Sequence, residues 1–298
     1  MRGAIALAFL ATLFASCGDE DNGNIVFFGK SMTQLTTTGG ESPSWSPDGQ
    51  SIVYVSNTDL WLISPDGGSP SRLTTMAGGE TNPVWHPDAS NREIVFINYS
   101  EETFTINRLD VASGEPEAVF SSATNIMYPS FTNDGSQIAF VVGLKGRGIH
   151  LVPVAGSEES TQITNDDGWD NVAAARLSPT QAQVAYVENR AGTTNIFSLD
   201  LAGGKPNQLT NYAVTAGDAN KIFYVDWAKD GQKLLFAHSA NPYFFTSALY
   251  YLDLQTGTPE PLTEDPLVGA VDFRNPSYSP DGAKIVCQRT GELWILEL

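Results

Sequence analysis

Side chains that could carry out catalysis are sparse in this sequence. The three histidines, His86, His150 and His238, lie far apart, and no two share the spacing of a metal-binding pair. A serine nucleophile of the hydrolase type needs a Gly-x-Ser-x-Gly elbow, which does not occur. We therefore predict a protein that is not an enzyme, although the abundant Asp and Glu residues leave a carboxylate pair open as an alternative.

One acidic loop is compatible with a bound cation. Asp166, Asp167, Asp170 and Asn171 offer oxygen ligands of the kind that Ca²⁺ prefers. Their spacing is not that of an EF-hand, and solvated loop acids are the alternative interpretation. We expect no cofactor and no metal, with Ca²⁺ at this loop as the single candidate.

A repeat indicates the elements that position these residues. An aromatic or apolar anchor is followed by Ser-Pro-Asp-Gly or a decayed form of it, and then by an alternating apolar strand. The anchors are Trp45, Trp85, Phe131, Leu177, Trp227 and Tyr278, 40 to 51 residues apart. This period is typical of propeller blades with four strands each. The sequence predicts an all-β, six-bladed β-propeller of four-stranded antiparallel blades, forming a single domain over residues 25–298.

The sixth repeat lacks a fourth strand, because the chain stops at Leu298. The segment Thr33-Gln34-Leu35-Thr36 precedes the first anchor and has the pattern of an orphan fourth strand. We therefore predict that an N-terminal strand closes the propeller. Residues 25–28 also resemble a third strand, so they compete with residues 293–296 for that place in the closing blade.

Connection lengths differ between the two ends of the propeller. From first to second strand the interval is 7 residues in five blades and 9 in one, whereas from fourth strand to next blade it varies from 10 to 18. Because binding residues concentrate on variable loops of a rigid scaffold, we expect the site on the variable-loop face, where the connections from second to third strand also emerge. Neutral drift of exposed loops is the alternative.

Two groups of candidate binding residues lie near that face. Asp170 and the aromatic run Tyr243, Phe244 and Phe245 occupy long loops, where the aromatic rings could contact a sugar or a protein, or could cap the core. Polar residues just before the innermost strands are expected at the mouth of the central channel, where they could bind a polar ligand or neutralise one another. They are Glu41, Asn82, Tyr128, Arg176, Asp226 and Arg274.

Residues 1–16 have the pattern of a secretory signal, with Arg2 before an apolar stretch and small residues before Cys17. The sequence Phe14-Ala15-Ser16-Cys17 resembles the lipobox of bacterial lipoproteins. We expect lipidation of Cys17, a tether over residues 17–24, and an exported outer-membrane lipoprotein that faces the periplasm or the cell surface. Cys287 occupies a strand position that is aromatic in the other blades, so it is expected to be a buried thiol.

The formal net charge of −18 at pH 7 excludes most nucleic-acid binding, because such a surface repels phosphate backbones. A protein or glycan partner remains compatible with it. We expect the protein to be a monomer.

The repeat resembles that of TolB-like β-propellers over roughly residues 25–298. This resemblance implies the propeller fold and a non-catalytic role in the cell envelope, where TolB proteins contact the peptidoglycan-associated lipoprotein. Similar repeats also form the propellers of prolyl oligopeptidase-like peptidases and of some bacterial lyases, whose clustered histidines this chain lacks. We therefore expect a lipid-anchored protein that binds a protein partner through its variable-loop face; a surface glycan-binding or glycan-processing propeller and a purely structural envelope protein are the alternatives.

Overall fold

The computed structural model describes residues 24–27, 30–143, 148–164, 172–190, 193–212, 221–239, 247–263 and 272–298. Over these ranges the chain forms 25 strands and no helix. Accordingly, none of the described segments is a helix long and apolar enough to span a membrane. The strands form six antiparallel sheets arranged as six blades, which confirms the predicted fold class.

The strands follow one another blade by blade. Two N-terminal strands, β1 (Asn24–Phe27) and β2 (Lys30–Gln34), come first. Blade 1 contains β3 (Glu41–Trp45), β4 (Ile52–Ser56), β5 (Asp59–Ile63) and β6 (Ser71–Arg72). Blade 2 contains β7 (Gly79–Trp85), β8 (Glu93–Ser100), β9 (Thr103–Asp110) and β10 (Pro116–Ser122). Blade 3 contains β11 (Ile126–Phe131), β12 (Gln137–Val142), β13 (Gly148–Pro153) and β14 (Thr161–Gln162).

The second half of the chain repeats the arrangement. Blade 4 contains β15 (Val172–Leu177), β16 (Gln183–Arg190), β17 (Thr193–Asp200) and β18 (Asn207–Gln208). Blade 5 contains β19 (Lys221–Trp227), β20 (Lys233–Ser239), β21 (Ala248–Asp253) and β22 (Pro259–Pro261). Blade 6 contains β23 (Phe273–Tyr278), β24 (Lys284–Arg289) and β25 (Glu292–Glu297).

The N-terminal strands close the ring. Strand β2 pairs antiparallel with β25, with Met32 opposite Leu296, and so supplies the missing fourth strand of blade 6. Strand β1 pairs with β2 on the outside, which gives this blade a fifth strand. The third strand is therefore β25, and the competing segment near Ile25 lies at the outer edge. The Glu292 carboxylate adds to the closure by accepting hydrogen bonds from the Thr36 hydroxyl at 2.7 Å and from the Gly39 N–H at 3.0 Å.

The hydrophobic core is divided among the six blade interfaces. Each buried cluster contains residues of two neighbouring blades, and one of them joins Trp45 and Tyr54 of blade 1 to Val286 and Leu293 of blade 6. The anchor aromatic residues thus contribute to packing, as the repeat predicts. Cys287 is a fully buried free thiol whose pKa is raised to about 12 by burial, which confirms its predicted place in the core.

The Ser-Pro-Asp-Gly motif forms the hairpin between the first and second strands. In blade 3, the Asp134 carboxylate accepts hydrogen bonds from the Thr132 hydroxyl at 2.6 Å and from the Ser136 N–H at 3.0 Å. Asp48 and Asp281 accept the corresponding bonds in blades 1 and 6. Because these side chains satisfy the local backbone, the motif is turn chemistry and shapes one face of the propeller. We call this the hairpin face.

A Leu-Thr or Ile-Thr motif directly after the fourth strand has a structural explanation as well. In five blades the threonine hydroxyl accepts a hydrogen bond from a buried N–H at the start of the third strand, at 2.9 to 3.0 Å. The threonines are Thr36, Thr74, Thr164, Thr210 and Thr263. The motif therefore fastens a short fourth strand to the blade by satisfying a backbone group that water cannot reach.

Candidate functional site: the central channel

Each innermost strand carries a bulge shortly before its anchor. The register against the second strand shifts by one residue in all six described blades. In five of these strands the residue three before the anchor has a left-handed φ of 45° to 56°. These residues are Ser42, Asn82, Tyr128, Tyr224 and Asn275. A β-bulge changes the direction in which neighbouring side chains point, and a bulky residue with positive φ is unusual. The same departure from regular strand geometry therefore recurs from blade to blade at this level of the channel wall.

A cavity of about 500 Å³ occupies the channel at and beyond these bulges. Blades 1 and 3 to 6 line it with residues one and three before the anchor. They are Ser42, Ser44, Tyr128, Ser130, Ala174, Arg176, Tyr224, Asp226, Asn275 and Ser277. Hairpin residues of all six blades also line it, namely Pro47, Pro87, Asn133, Pro179, Lys229 and Pro280. The cavity therefore extends to the hairpin face.

Arg176 supplies the positive charge of this cavity wall. Its Nη1 donates a hydrogen bond of 3.2 Å to the Ala175 carbonyl, and its own carbonyl accepts a bond of 3.0 Å from Trp227 Nε1. Burial lowers the pKa of Arg176, while the charge of Asp226 and the nearby Tyr128 oppose that shift. The side chain lies deep inside the protein yet keeps part of its surface open to the cavity.

Asp226 is the acidic counterpart one blade further on. Its Oδ2 accepts a hydrogen bond of 3.0 Å from the Tyr278 N–H, which joins blade 5 to blade 6. Burial raises the pKa of Asp226, and the positive charge of Arg176 and hydrogen bonds that include one from Ser277 work in the opposite direction. Arg176 and Asp226 are therefore electrostatically coupled inside the channel.

Two tyrosines, Tyr128 and Tyr224, line the same cavity as this pair. The pKa of Tyr128 is raised to about 12, chiefly by burial and further by Tyr224, while Arg176 opposes the rise. Burial also raises the pKa of Tyr224, which is next most affected by Arg274. Both phenols are therefore protonated at neutral pH and available as hydrogen-bond donors.

The remaining members of the expected ring lie elsewhere. Glu41 is exposed, and Arg274 forms an ion pair with Asp272 at 2.5 Å; both act on the pKa of Tyr224 from outside the cavity. Asn82 occupies a bulge and is half-buried without lining the cavity. The structure thus brings Tyr128, Arg176 and Asp226 together and separates Glu41, Asn82 and Arg274 from them.

Several candidates fall outside the described residues. They are Cys17, the acidic loop with Asp166, Asp167 and Asp170, and the aromatic run Tyr243, Phe244 and Phe245. Within the described ranges no group of three or more His, Cys, Asp or Glu side chains could hold a metal ion. The variable-loop site and the calcium candidate therefore remain predictions.

Tyr224, Asn275 and the channel serines line the cavity but were not among the residues predicted from the sequence. Tyr224 and Asn275 lie three residues before their anchors, as Tyr128 does, and Ser277 lies one before, as Asp226 does. The available signal was therefore the position relative to the anchor. In five of the six described blades the residues one and three before the anchor line the cavity, so this count identifies the channel wall better than polarity near the start of the strand does.

The TolB beta propeller domain family matches residues 89–293 of this chain. A TolB homolog of Chlorobium luteolum is 28% identical over 162 residues, which are 53% of this chain and 36% of the relative. An uncharacterized protein of Agrobacterium fabrum is 29% identical over 126 residues, 37% of this chain and 42% of that protein. The chain thus spans less than half the length of these curated relatives.

Solved structures share the fold. A putative TolB from Agrobacterium tumefaciens superposes with a TM-score of 0.69 at 19% identity, covering 89% of this chain and 96% of that one. An oligogalacturonate lyase in complex with manganese has a TM-score of 0.58 at 13% identity, covering 92% and 95%. Identity this low establishes the architecture and leaves function open. The family match extends over more than half of the sequence and agrees with the six-bladed fold, so this chain belongs to the TolB beta propeller domain family.

Proposed function

We propose that this TolB-like propeller is a non-catalytic binding protein of the cell envelope, anchored through a lipid on Cys17, that holds a protein partner on its variable-loop face. The observation that carries the non-catalytic part of this proposal is the character of the channel. Its cavity of about 500 Å³ is polar and charged, and neither histidine nor cysteine occurs among the described residues that line it. Such a cavity suits recognition better than group transfer.

The rigidity of the scaffold supports a docking role. The blade interfaces are closed and apolar, and bonds between blades fix the starts of the innermost strands on the variable-loop face. For example, the Ser247 hydroxyl of blade 5 donates to the Phe273 carbonyl of blade 6 at 2.6 Å. A rigid frame of this kind suits binding through the loops that it carries.

The direct test is capture of a partner from detergent-solubilised envelope, followed by mass spectrometry. The bait is residues 18–298, and the test variant Glu41→Ala/Arg274→Ala changes two charges near the variable-loop face without touching the cavity lining. The matched control is Asp66→Ala/Lys205→Ala, which also removes one acid and one base, from exposed turns on the hairpin face. We expect a partner that the test variant loses and the control retains.

Two results would contradict the proposal. One is a partner captured equally by both variants, which would place docking elsewhere. The other is the enrichment of no envelope protein over background by the wild-type chain.

Glycan binding is a second candidate, favoured by the aromatic run Tyr243, Phe244 and Phe245 and by the fold shared with an oligogalacturonate lyase. A panel of soluble polysaccharides, tested with the wild type and with the triple alanine variant of this run, examines it. Loss of a polysaccharide signal in the variant supports glycan binding; an unchanged signal argues against this surface.

A further inference from the structure

We propose that the channel cavity is a second binding site, which receives the α-carboxylate of a peptide chain through Arg176 from the hairpin face. The site lies apart from the variable-loop face, so this proposal does not depend on the proposed docking surface. The ligand class is a carboxylate next to a hydrogen-bond donor, as at the end of a short peptide or of a protein chain.

Arg176 provides the first argument. A guanidinium has five N–H donors, and the hydrogen bond to the Ala175 carbonyl uses one of them. Among the ion pairs formed by the described residues none includes Arg176, although Asp226 acts on it at longer range. A buried cation without a contacting anion is costly, and its free donors are reachable from the cavity. A carboxylate that enters would satisfy the planar fork of the guanidinium.

The surroundings of Arg176 are rich in further donors. Tyr128 and Tyr224 are protonated phenols that line the same cavity, and Ser44 and Ser130 add hydroxyl groups. Both tyrosines adopt left-handed φ values, 55° and 56°, which cost free energy for residues other than glycine. The channel wall therefore holds these phenols in the cavity at the expense of local backbone strain.

Asp226 narrows the choice of ligand. Its carboxylate lines the cavity and would repel a second negative charge on the ligand, whereas it would attract an amide N–H or an ammonium group. The overall charge of −18 disfavours polyanions in the same way. A peptide end, which carries one carboxylate followed by amide N–H groups, meets both requirements.

The volume of the cavity and its entrance are compatible with a short peptide. A volume of about 500 Å³ lies within the range of small-ligand pockets. The rim on the hairpin face contains four prolines, Asn133 and the exposed Lys229, so the entrance is stiff and carries a positive charge that favours an incoming carboxylate.

The experiment is calorimetric titration of the full mature chain with trialanine and with trialanine amide, which differ only in the terminal carboxylate. We expect the acid to bind about 10- to 100-fold more tightly than the amide, as for loss of a charge-assisted hydrogen bond. Equal affinity of acid and amide, or no binding of the acid at millimolar concentration, would overturn the proposal. A carrier protein ending in three alanines distinguishes the sources: its binding indicates protein chain ends, and binding of free trialanine alone indicates small peptides.

Variants of the protein test the same interaction between Arg176 and the terminal carboxylate. In Arg176→Met/Asp226→Asn, which removes both charges together so that neither is stranded, the preference for acid over amide should disappear. Arg108→Met is the matched control, because it removes an arginine that pairs with Glu117 on the outside of blade 2. Asn133→Trp should block the rim and abolish binding of both peptides. An acid preference that survives in the double variant would refute the role of Arg176.

Discussion

Carboxylates of the hairpins and of the channel lie a few residues apart in the repeat but experience opposite environments. Asp134 is exposed and accepts three hydrogen bonds, from the Thr132 hydroxyl and from the N–H and hydroxyl of Ser136, which lower its pKa to about 2. Asp226 is enclosed by protein, and burial raises its pKa. The charge of the hairpin acid therefore favours the folded state, whereas the charge of the channel acid opposes it.

The same contrast applies to Arg176, whose pKa is lowered by burial. Charges that cost folding free energy are retained in proteins where they serve another purpose, and functional sites are the usual place for them. The structural role of the hairpin acids accounts for their recurrence in the repeat, whereas the channel charges indicate a ligand-binding site. Three predictions examine this distinction.

The largest effect should come from separating the two channel charges. Arg176→Met alone leaves the buried Asp226 carboxylate without its opposing charge, and we expect it to lower the free energy of unfolding by about 2 kcal/mol. In the double variant that loss should disappear, with a coupling energy of about 2 kcal/mol. Urea unfolding of the wild type, the two single variants and the double variant measures this double-mutant cycle. Strictly additive effects would show that the two side chains are not coupled.

A smaller effect is expected at the hairpins. Asp134→Ala removes the acceptor for three local hydrogen bonds, and we expect a loss of about 1 kcal/mol, limited because the site is exposed to solvent. Asp66→Ala is the control for charge, since the Asp66 carboxylate accepts none of the hydrogen bonds found among the described residues. Trialanine affinity should be unchanged in both variants. Loss of trialanine binding in Asp134→Ala would contradict the separation between hairpin acids that stabilise the fold and channel charges that bind a ligand.

The smallest effect is a difference in pH dependence. The pKa of Asp134 falls from an ordinary value of 3.8 to about 2 on folding, so its stabilisation is present above pH 3.8 and is lost as pH falls toward 2. The pKa of Asp226 is raised from 3.8, so its protonated form favours folding, and stability declines as pH rises from 3.8 through the folded pKa. Urea unfolding of the wild type, Asp134→Ala and Asp226→Asn between pH 2 and 7 gives the slope of unfolding free energy against pH that each carboxylate contributes. Slopes of the same sign would contradict these assignments.

The architecture followed from the sequence because each blade repeats its turn chemistry. Six anchors spaced 40 to 51 residues apart predict the blade count, and the orphan strand near Thr33 predicts the closure. The order within the closing blade could not be predicted, since the segments near Ile25 and Leu293 both have strand patterns. Only pairing between distant residues, such as Met32 with Leu296, places one of them third and the other outermost.

The site was less predictable for a geometric reason. A bulge inserts one residue into each innermost strand, and side chains alternate along a strand, so a shift of one position changes which residues face the channel. Glu41 and Arg274 lie four before their anchors, Tyr128 lies three before, and Arg176 lies one before. The ring chosen by polarity therefore mixed residues of the cavity wall with residues outside it.

The most direct test is thermal unfolding of the wild type and of Arg176→Met/Asp226→Asn, each with and without saturating trialanine. If the channel charges are kept for binding, the double variant unfolds without ligand at the same temperature as the wild type or higher, and only the wild type is stabilised by the peptide. A double variant that unfolds well below the wild type, or that the peptide stabilises equally, would show that these charges serve the fold and not a ligand.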